Sequence, residues 1–218
     1  MTKKGFIFDL DGVIVDTAKY HYLAWKQLAN DLGFDFTKAQ NEHLKGVSRV
    51  KSLEKILEIG NITISDDEFT KQMTKKNIDY LNHIGKMDEN EILPDVPKIL
   101  NYLIDKKQPI SLGSASKNAR TILEKVNLLN KFDAIVDGND VVKGKPNPEV
   151  FLKAAKLLNI KPENCIVFED AVAGIQAANS ANMISIGIGE KNVLHEADYV
   201  FNDFTEISIE FINELIKK

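Results

Sequence analysis

The chain has 218 residues, 44% hydrophobic and 28% charged, with a formal net charge of -4. That composition excludes disorder and allows one large domain or a domain with a second one inserted; the faint acidic balance supplies no basic field for nucleic acid or an anionic membrane. An N-terminal signal segment and an apolar run of the ~18 residues a membrane span needs are both missing, and the single cysteine, Cys165 in CIVF, has no internal partner, so a cytoplasmic location is expected.

From Gly5 the run GFIFD reads as a short buried strand. It leads into DLDGVIVDT, where Asp9, Asp11 and Asp16 stand in and just beyond the most apolar stretch of the N-terminus. A helical block follows. DTAKYHYLAWKQLANDLG puts Ala18, His21, Trp25, Leu28 and Leu32 on one face, SRVKSLEKILEIG repeats the period with Leu53, Ile56 and Leu57, and SDDEFTKQMTKKNIDYLNHIGK carries Phe69, Met73, Tyr80 and Ile84. Ser65 and Glu68 have the spacing of a capping box. Residues 16–87 are therefore expected to form an inserted helical cap domain, and residues 1–15 with 88–218 a catalytic core.

Beyond residue 95 the pattern changes to alternation. PISLGS, CIVFED, MISIGIG and the shorter YVF read as strands, separated by helical patterns at 95–106, 116–126, 147–158 and 171–181. This predicts an α/β fold, a parallel sheet covered by helices.

Ligands of such sheets bind beyond the carboxyl ends of the strands. The residues there are Asp9 and Asp11 after the first strand, Ser114 after the second and Glu169 with Asp170 after the CIVF strand, with Lys145 in the loop GKPNP. Hard oxygen donors of this kind suit Mg²⁺ and a phosphate. Lys145 and Ser114 would hold phosphate oxygens, an ionised Asp9 would attack phosphorus, and Asp11 would exchange protons with the oxygen that leaves or arrives. Taken singly, Asp11 could be a turn residue before Gly12, Ser114 a strand-end cap and Lys145 a surface lysine; their joint placement after successive strands carries the argument. Asp16, together with Thr17, reads as a cap of the following helix.

DLDGV, the SLGS strand end, GKPNP and FEDA resemble, in order, the four motifs of the haloacid dehalogenase superfamily of phosphotransferases. The resemblance implies a Rossmann-like core with a C1-type helical cap and an aspartyl-phosphate at Asp9. It also implies Mg²⁺ held by the side chain of Asp9, the backbone carbonyl of Asp11 and the side chain of Asp170, with Glu169 either a ligand or just behind one.

DTAKYHYLAW, LKGVSRVKSLEKIL and SASKN are further similar to the sugar-phosphate mutases of that superfamily. This implies interconversion of glucose 1-phosphate and glucose 6-phosphate through a bound glucose 1,6-bisphosphate. The implied substrate-binding set is Thr17, His21, Trp25, Lys45, Gly46, Arg49, Ser52, Lys76, Ser116, Lys117 and Asn118, although for Trp25 packing is the stronger reading.

The residues agree with such a role. A mutase needs a second anion site remote from Asp9; Arg49, one of only two arginines, suits it. SASKN offers Ser116, Lys117 and Asn118 at the start of a helix, where backbone N–H groups favour phosphate. His21 and Lys76 sit on apolar faces, where they read either as packed, snorkelling residues or as the mouth of the site. Arg120, His43, His83 and His195 receive no role, and Asp95 and Pro97 stand where relatives often carry glycine.

The rival reading is a phosphatase of the same superfamily acting on small sugar phosphates or phosphoglycolate-like acids, which would not need Arg49 with SASKN. A dehalogenase needs neither Asp11 nor a metal site, and a silent binding module would be expected to have lost one of Asp9, Asp11, Lys145 or Asp170. The expected partner is a small sugar phosphate, with no nucleic acid and no membrane, bound by a monomer.

Overall fold

The computed structural model describes residues 3–218. Six parallel strands form one sheet: β1 (Gly5–Phe8), β2 (Ile110–Gly113), β3 (Ala134–Val136), β4 (Cys165–Glu169), β5 (Ile184–Ile188) and β6 (Tyr199–Phe201), in the order β3-β2-β1-β4-β5-β6. Chain order reverses at β1, so the crevice beyond its carboxyl end is the switch point where ligands of such sheets bind. Phe8 pairs with Leu112 on one side and Phe168 on the other, which brings the residues following β1, β2 and β4 to a common edge.

Both faces of the sheet are apolar because both are covered. Alternation sends Phe6 and Phe8 to one face and Ile7 to the other. Phe8 stacks on Phe168 with centroids 4.6 Å apart. The first face is covered by α5 (Val96–Asp105), α6 (Ala119–Lys125) and α9 (Ile209–Lys217), the second by α7 (Glu149–Leu157) and α8 (Val172–Ser180).

Between β1 and β2 lie α1 (Ala18–Asp31), α2 (Lys38–Glu42), α3 (Arg49–Gly60) and α4 (Asp66–Ile84). Trp25, Leu28, Phe36, Leu53 and Ile56 form a core of their own among these helices. The two connections between helical block and sheet run side by side: Leu93 N donates to Ile14 O (3.0 Å) and Asp16 N to Glu91 O (3.0 Å).

Three local expectations change. The Ser65 hydroxyl accepts from Glu68 N (3.3 Å), but Glu68 turns to Gln72 (2.7 Å) and returns no bond, so the predicted capping box is one-sided. The reciprocal box belongs to Thr37 and Gln40 at α2. Asp16 does not cap α1, whose N-cap Thr17 makes no side-chain cap bond either; its carboxylate is 3.6 Å from Lys19 in solvent. Sequence reading also leaves out β3, a three-residue edge strand, and α9, whose Ser208 cap (Phe211 N to Ser208 Oγ, 3.1 Å) is a legible start signal. No helix among the described residues is long and apolar enough to cross a membrane.

Candidate active site

Asp9 is the first residue beyond β1 and is nearly buried; its backbone N–H still pairs with Phe168 O (2.9 Å), so the sheet fixes where its carboxylate emerges. Lys145 reaches it from the β3–α7 loop. Its ammonium donates to Asp9 Oδ1 (2.5 Å) and Glu169 Oε2 (2.8 Å) and lies 4.8 Å from the Phe151 ring centroid. Burial alone would lower the Lys145 ammonium; Asp9 and Glu169 outweigh it and push it up. Glu169 is completely buried, with a further bond from Ala171 N (3.3 Å), and occupies space that any side chain at Gly174 would fill.

Oxygens of Asp9, Glu169 and Asp170 lie within 4.8 Å of one another. With one buried lysine among them, negative charge is in surplus. Burial first, and Asp9 second, push Asp170 up to about 7 and hold Glu169 well above the carboxylate range. A group of hard oxygens with surplus negative charge is what a divalent cation neutralises, so these residues fit such an ion. Gly12, at φ 79°, leaves the room into which the Asp170 carboxylate packs; a Cβ there would overlap it.

Asp11 has different company. It accepts a short hydrogen bond from the Thr17 hydroxyl and lies 3.8 Å from His21 Nε2. Burial, then the charge of Asp9, push it up to about 6 against the Thr17 bond. A carboxyl with that pKa takes up and releases protons near neutrality. Thr17 is itself fully buried, and its hydroxyl is given to Asp11.

His21 connects Asp11 to Lys76, with Nδ1 3.0 Å from the Lys76 ammonium and its ring stacked 4.2 Å from Tyr80. Lys76 is 2% exposed, and its ammonium sits 4.5 Å from the Trp25 and 4.6 Å from the Tyr80 ring centroid. Burial and the neighbouring Arg49 bring it down to about 7. Burial, then Lys76 and Arg49, hold His21 well below the usual imidazole range, so it is neutral. Trp25 packs into the cap core, as expected, and also faces the site.

A cavity of about 890 Å³ opens above these groups. Asp9, Asp11 and Asp170 line its floor; His21, Trp25, Lys45, Gly46, Arg49, Ser52 and Lys76 line the cap side, and Ser116, Lys117 and Asn118 the core side. Ser114, Lys145 and Glu169 lie buried behind that floor, and the Ser114 hydroxyl accepts from Ser116 N (3.1 Å). Arg49 opens α3 half-buried, and among the described residues no carboxylate comes within 4.0 Å of it. Burial lowers its pKa, so the site holds a partly desolvated cation without a counterion. Arg120, the other arginine, is committed to Asp137 (3.2 Å) and Asp140 (3.5 Å).

Cap and core touch around the cavity. Lys45 lies 3.7 Å from Asp170 and 2.9 Å from Glu42, so it reaches the acidic cluster as well as the cavity. A Cβ at Gly46 would come within 2.8 Å of Ala171 Cβ. Asn118 Nδ2 donates to Asn77 Oδ1 on α4 (3.1 Å). Sequence reading gave no site role to Asn77 or Tyr80; Tyr80 lies one turn beyond Lys76 on the same face of α4, and Asn77 is the next residue along, on the adjoining face.

Residues 3–182 match the haloacid dehalogenase-like hydrolase family. Beta-phosphoglucomutase of Bacillus subtilis (strain 168) is 41% identical over 213 residues, covering 97% of this chain and 94% of that protein. Fructose-1-phosphate phosphatase of Escherichia coli (strain K12) is 30% identical, covering 84% of this chain and 95% of its own length. The crystal structure of beta-phosphoglucomutase from Clostridium difficile superposes with a TM-score of 0.94 at 44% identity, covering 100% of this chain and 98% of that one. With an acidic cluster at the switch point of a parallel sheet and a family match over most of its length, the chain belongs to the haloacid dehalogenase-like hydrolase family.

Proposed function

We propose that the chain is a beta-phosphoglucomutase, interconverting beta-glucose 1-phosphate and glucose 6-phosphate through an aspartyl-phosphate at Asp9 and a glucose 1,6-bisphosphate. The observation that carries this is the single cavity of about 890 Å³ in which Asp9 and an uncompensated Arg49 share one lining with Ser116, Lys117 and Asn118. A phosphatase needs the first anion site only; a bisphosphate that must be released, turned and rebound needs both.

In this reading Asp9 attacks phosphorus, the P–O bond to the donor breaks, and the acyl-phosphate forms. Asp11 gives its proton to the departing sugar oxygen and, in the return step, takes it from the attacking hydroxyl. Lys145, held between Asp9 and Glu169, neutralises oxygens of the transferring phosphoryl group, and Ser114 supplies a hydroxyl from behind. Asp9, Asp170, the backbone carbonyl of Asp11 and, directly or one step removed, Glu169 would hold Mg²⁺. When bound, that ion supplies charge stabilisation to the transferring phosphoryl group. His21 and Lys76 support Asp11 from the cap, and Lys45, Gly46 and Ser52 shape the wall around the sugar. We take residues 16–87 as the cap domain and the remainder as the core of a monomeric, cytoplasmic enzyme.

The test is Arg49→Ala with two rates measured on one preparation. Losing a charge-assisted phosphate clamp should lower kcat/KM for isomerisation by roughly 30- to 1,000-fold. Hydrolysis of acetyl phosphate through Asp9 has no remote phosphate to hold and should stay within a few-fold of wild type. Equal losses, or none, would return the chain to the phosphatase reading, which relatives such as the Escherichia coli phosphatase represent.

A further inference from the structure

The Ser116–Asn118 segment is weakly held from within. It leads into α6, only seven residues long, whose N-cap Asn118 forms no side-chain cap bond, and its one internal tie is Asn118 N to Ser116 Oγ at 3.3 Å. Its ends are tied to Ser114 (Ser116 N to Ser114 Oγ, 3.1 Å) and to Asn77 (Asn118 Nδ2 to Asn77 Oδ1, 3.1 Å), while its backbone carbonyls are held by the turn that leaves β3. Gly138 N donates to Ser116 O (3.1 Å) and Asn139 Nδ2 to Lys117 O (3.0 Å). Gly138 packs so tightly that a Cβ there would overlap the carbonyl oxygen of Ala115.

That turn is in turn pinned to the fold. Asp137, 1% exposed, accepts from Asn139 N (2.8 Å) and faces Arg120 Nε at 3.2 Å. Asp140 accepts from Asp137 N (2.9 Å), and an Arg120 NH₂ group donates to Ile135 O (2.9 Å). We infer that the Gly138–Asn139 turn, braced by Arg120 and Asp137, is the positioning element of the second phosphate site, holding Ser116, Lys117 and Asn118 where they line the cavity. This rests on the mutase reading. It gives Arg120 a task that its sequence position did not disclose, since an arginine on α6 ties the loop before that helix to the turn beside it. Ser114 keeps its own N–H bond to Val136 O on the sheet (3.0 Å) and meets the far segment through Ala115 and one hydrogen bond, Ser116 N to Ser114 Oγ (3.1 Å), so a shift of the far site reaches the Asp9 end only through that short link.

The experiment uses the full chain with Gly138→Ala, whose methyl forces the Ala115 carbonyl to move, and Asn139→Ala, which removes one exposed hydrogen bond. Because the far phosphate is held equally in ground and transition states, the loss should appear in KM more than in kcat. We expect KM for beta-glucose 1-phosphate to rise about tenfold in Gly138→Ala and about two- to fivefold in Asn139→Ala, with kcat and acetyl phosphate hydrolysis within about threefold. Unchanged KM in variants that melt like wild type, or parallel losses in both reactions, would overturn the proposal. Should Gly138→Ala not fold, unchanged KM in the exposed Asn139→Ala decides against it. A wild-type protein that hydrolyses acetyl phosphate without isomerising hexose phosphates defeats the mutase reading alone. The turn is then judged by the Kd of glucose 6-phosphate from calorimetry, which Gly138→Ala should weaken about tenfold and which, if unchanged, overturns it.

Discussion

Asp9 and Asp11 stand two residues apart and are made different by their neighbours. Asp9 shares the Lys145 ammonium at 2.5 Å, whereas Asp11 has only the Thr17 hydroxyl and a neutral His21. Asp9→Asn should fold normally by circular dichroism yet retain less than about 1% of turnover, because an amide cannot form the acyl-phosphate. For Asp11 the pKa rises from 3.8 to about 6 on folding. A carboxyl raised in the folded state costs nothing below its unfolded pKa, and its cost is fully present above the folded one. In metal-free protein, Asp11→Asn should therefore be more stable than wild type by about 1–3 kcal/mol at pH 8 and equal to it near pH 3.5. Urea unfolding in chelator at both pH values checks this, and a difference independent of pH would contradict the assigned burial.

Among the elements, short β1 does the most to build the site, because its central place sets Asp9 between the ends of β2 and β4. Helix starts show how far local signals reach. Ser65 accepts from Glu68 N with no return bond. Ser65→Ala should thus lower stability by about 1 kcal/mol and Glu68→Ala by less than about 0.5, measured by urea unfolding. Asp95 before α5 adopts φ 60°, a left-handed conformation that glycine would take without strain. The loop between α2 and α3 turns at Gly46, φ 67°, against Ala171. Gly46→Ala adds left-handed strain of about 1 kcal/mol and a methyl at the point where cap meets core. It should lower kcat/KM for isomerisation about tenfold or more while shifting the melting temperature by only a few degrees, readouts available from steady-state kinetics and calorimetry.

At the scale of the molecule, two layers of fold enclose one charged space. Asp9, Glu169 and Asp170 crowd around buried Lys145, with the half-buried Lys45 3.7 Å from Asp170, and the cap contributes Arg49 and Lys76 farther up, neither offset by a carboxylate within 4.0 Å among the described residues. The surplus negative charge is a stored preference for a divalent cation. Adding Mg²⁺ at about 100 times its Kd should stabilise the protein by about 2.7 kcal/mol, seen as a rise of roughly 5–10 °C in melting temperature for a chain of this size. The rise should shrink toward pH 5, as Asp170, raised to about 7, takes up a proton that competes with the metal.

The sequence by itself determined the alternation of strands and helices, the helical insertion after β1 and the acidic and basic residues at strand ends, because apolar periodicity and the rule for ligand placement in open sheets are local or topological. Arg49 stood out for the same reason, as a rare residue type in the cap. Only the tertiary structure decided that Thr17 supports Asp11, that Lys45 reaches Asp170, that Asn77 meets Asn118 and that Arg120 braces a turn. Each of these pairs comes from opposite sides of a packed boundary or from a turn folded back on itself. Which hydroxyl meets which carboxylate there depends on distances of an ångström set by the whole packing, and no residue spacing encodes that.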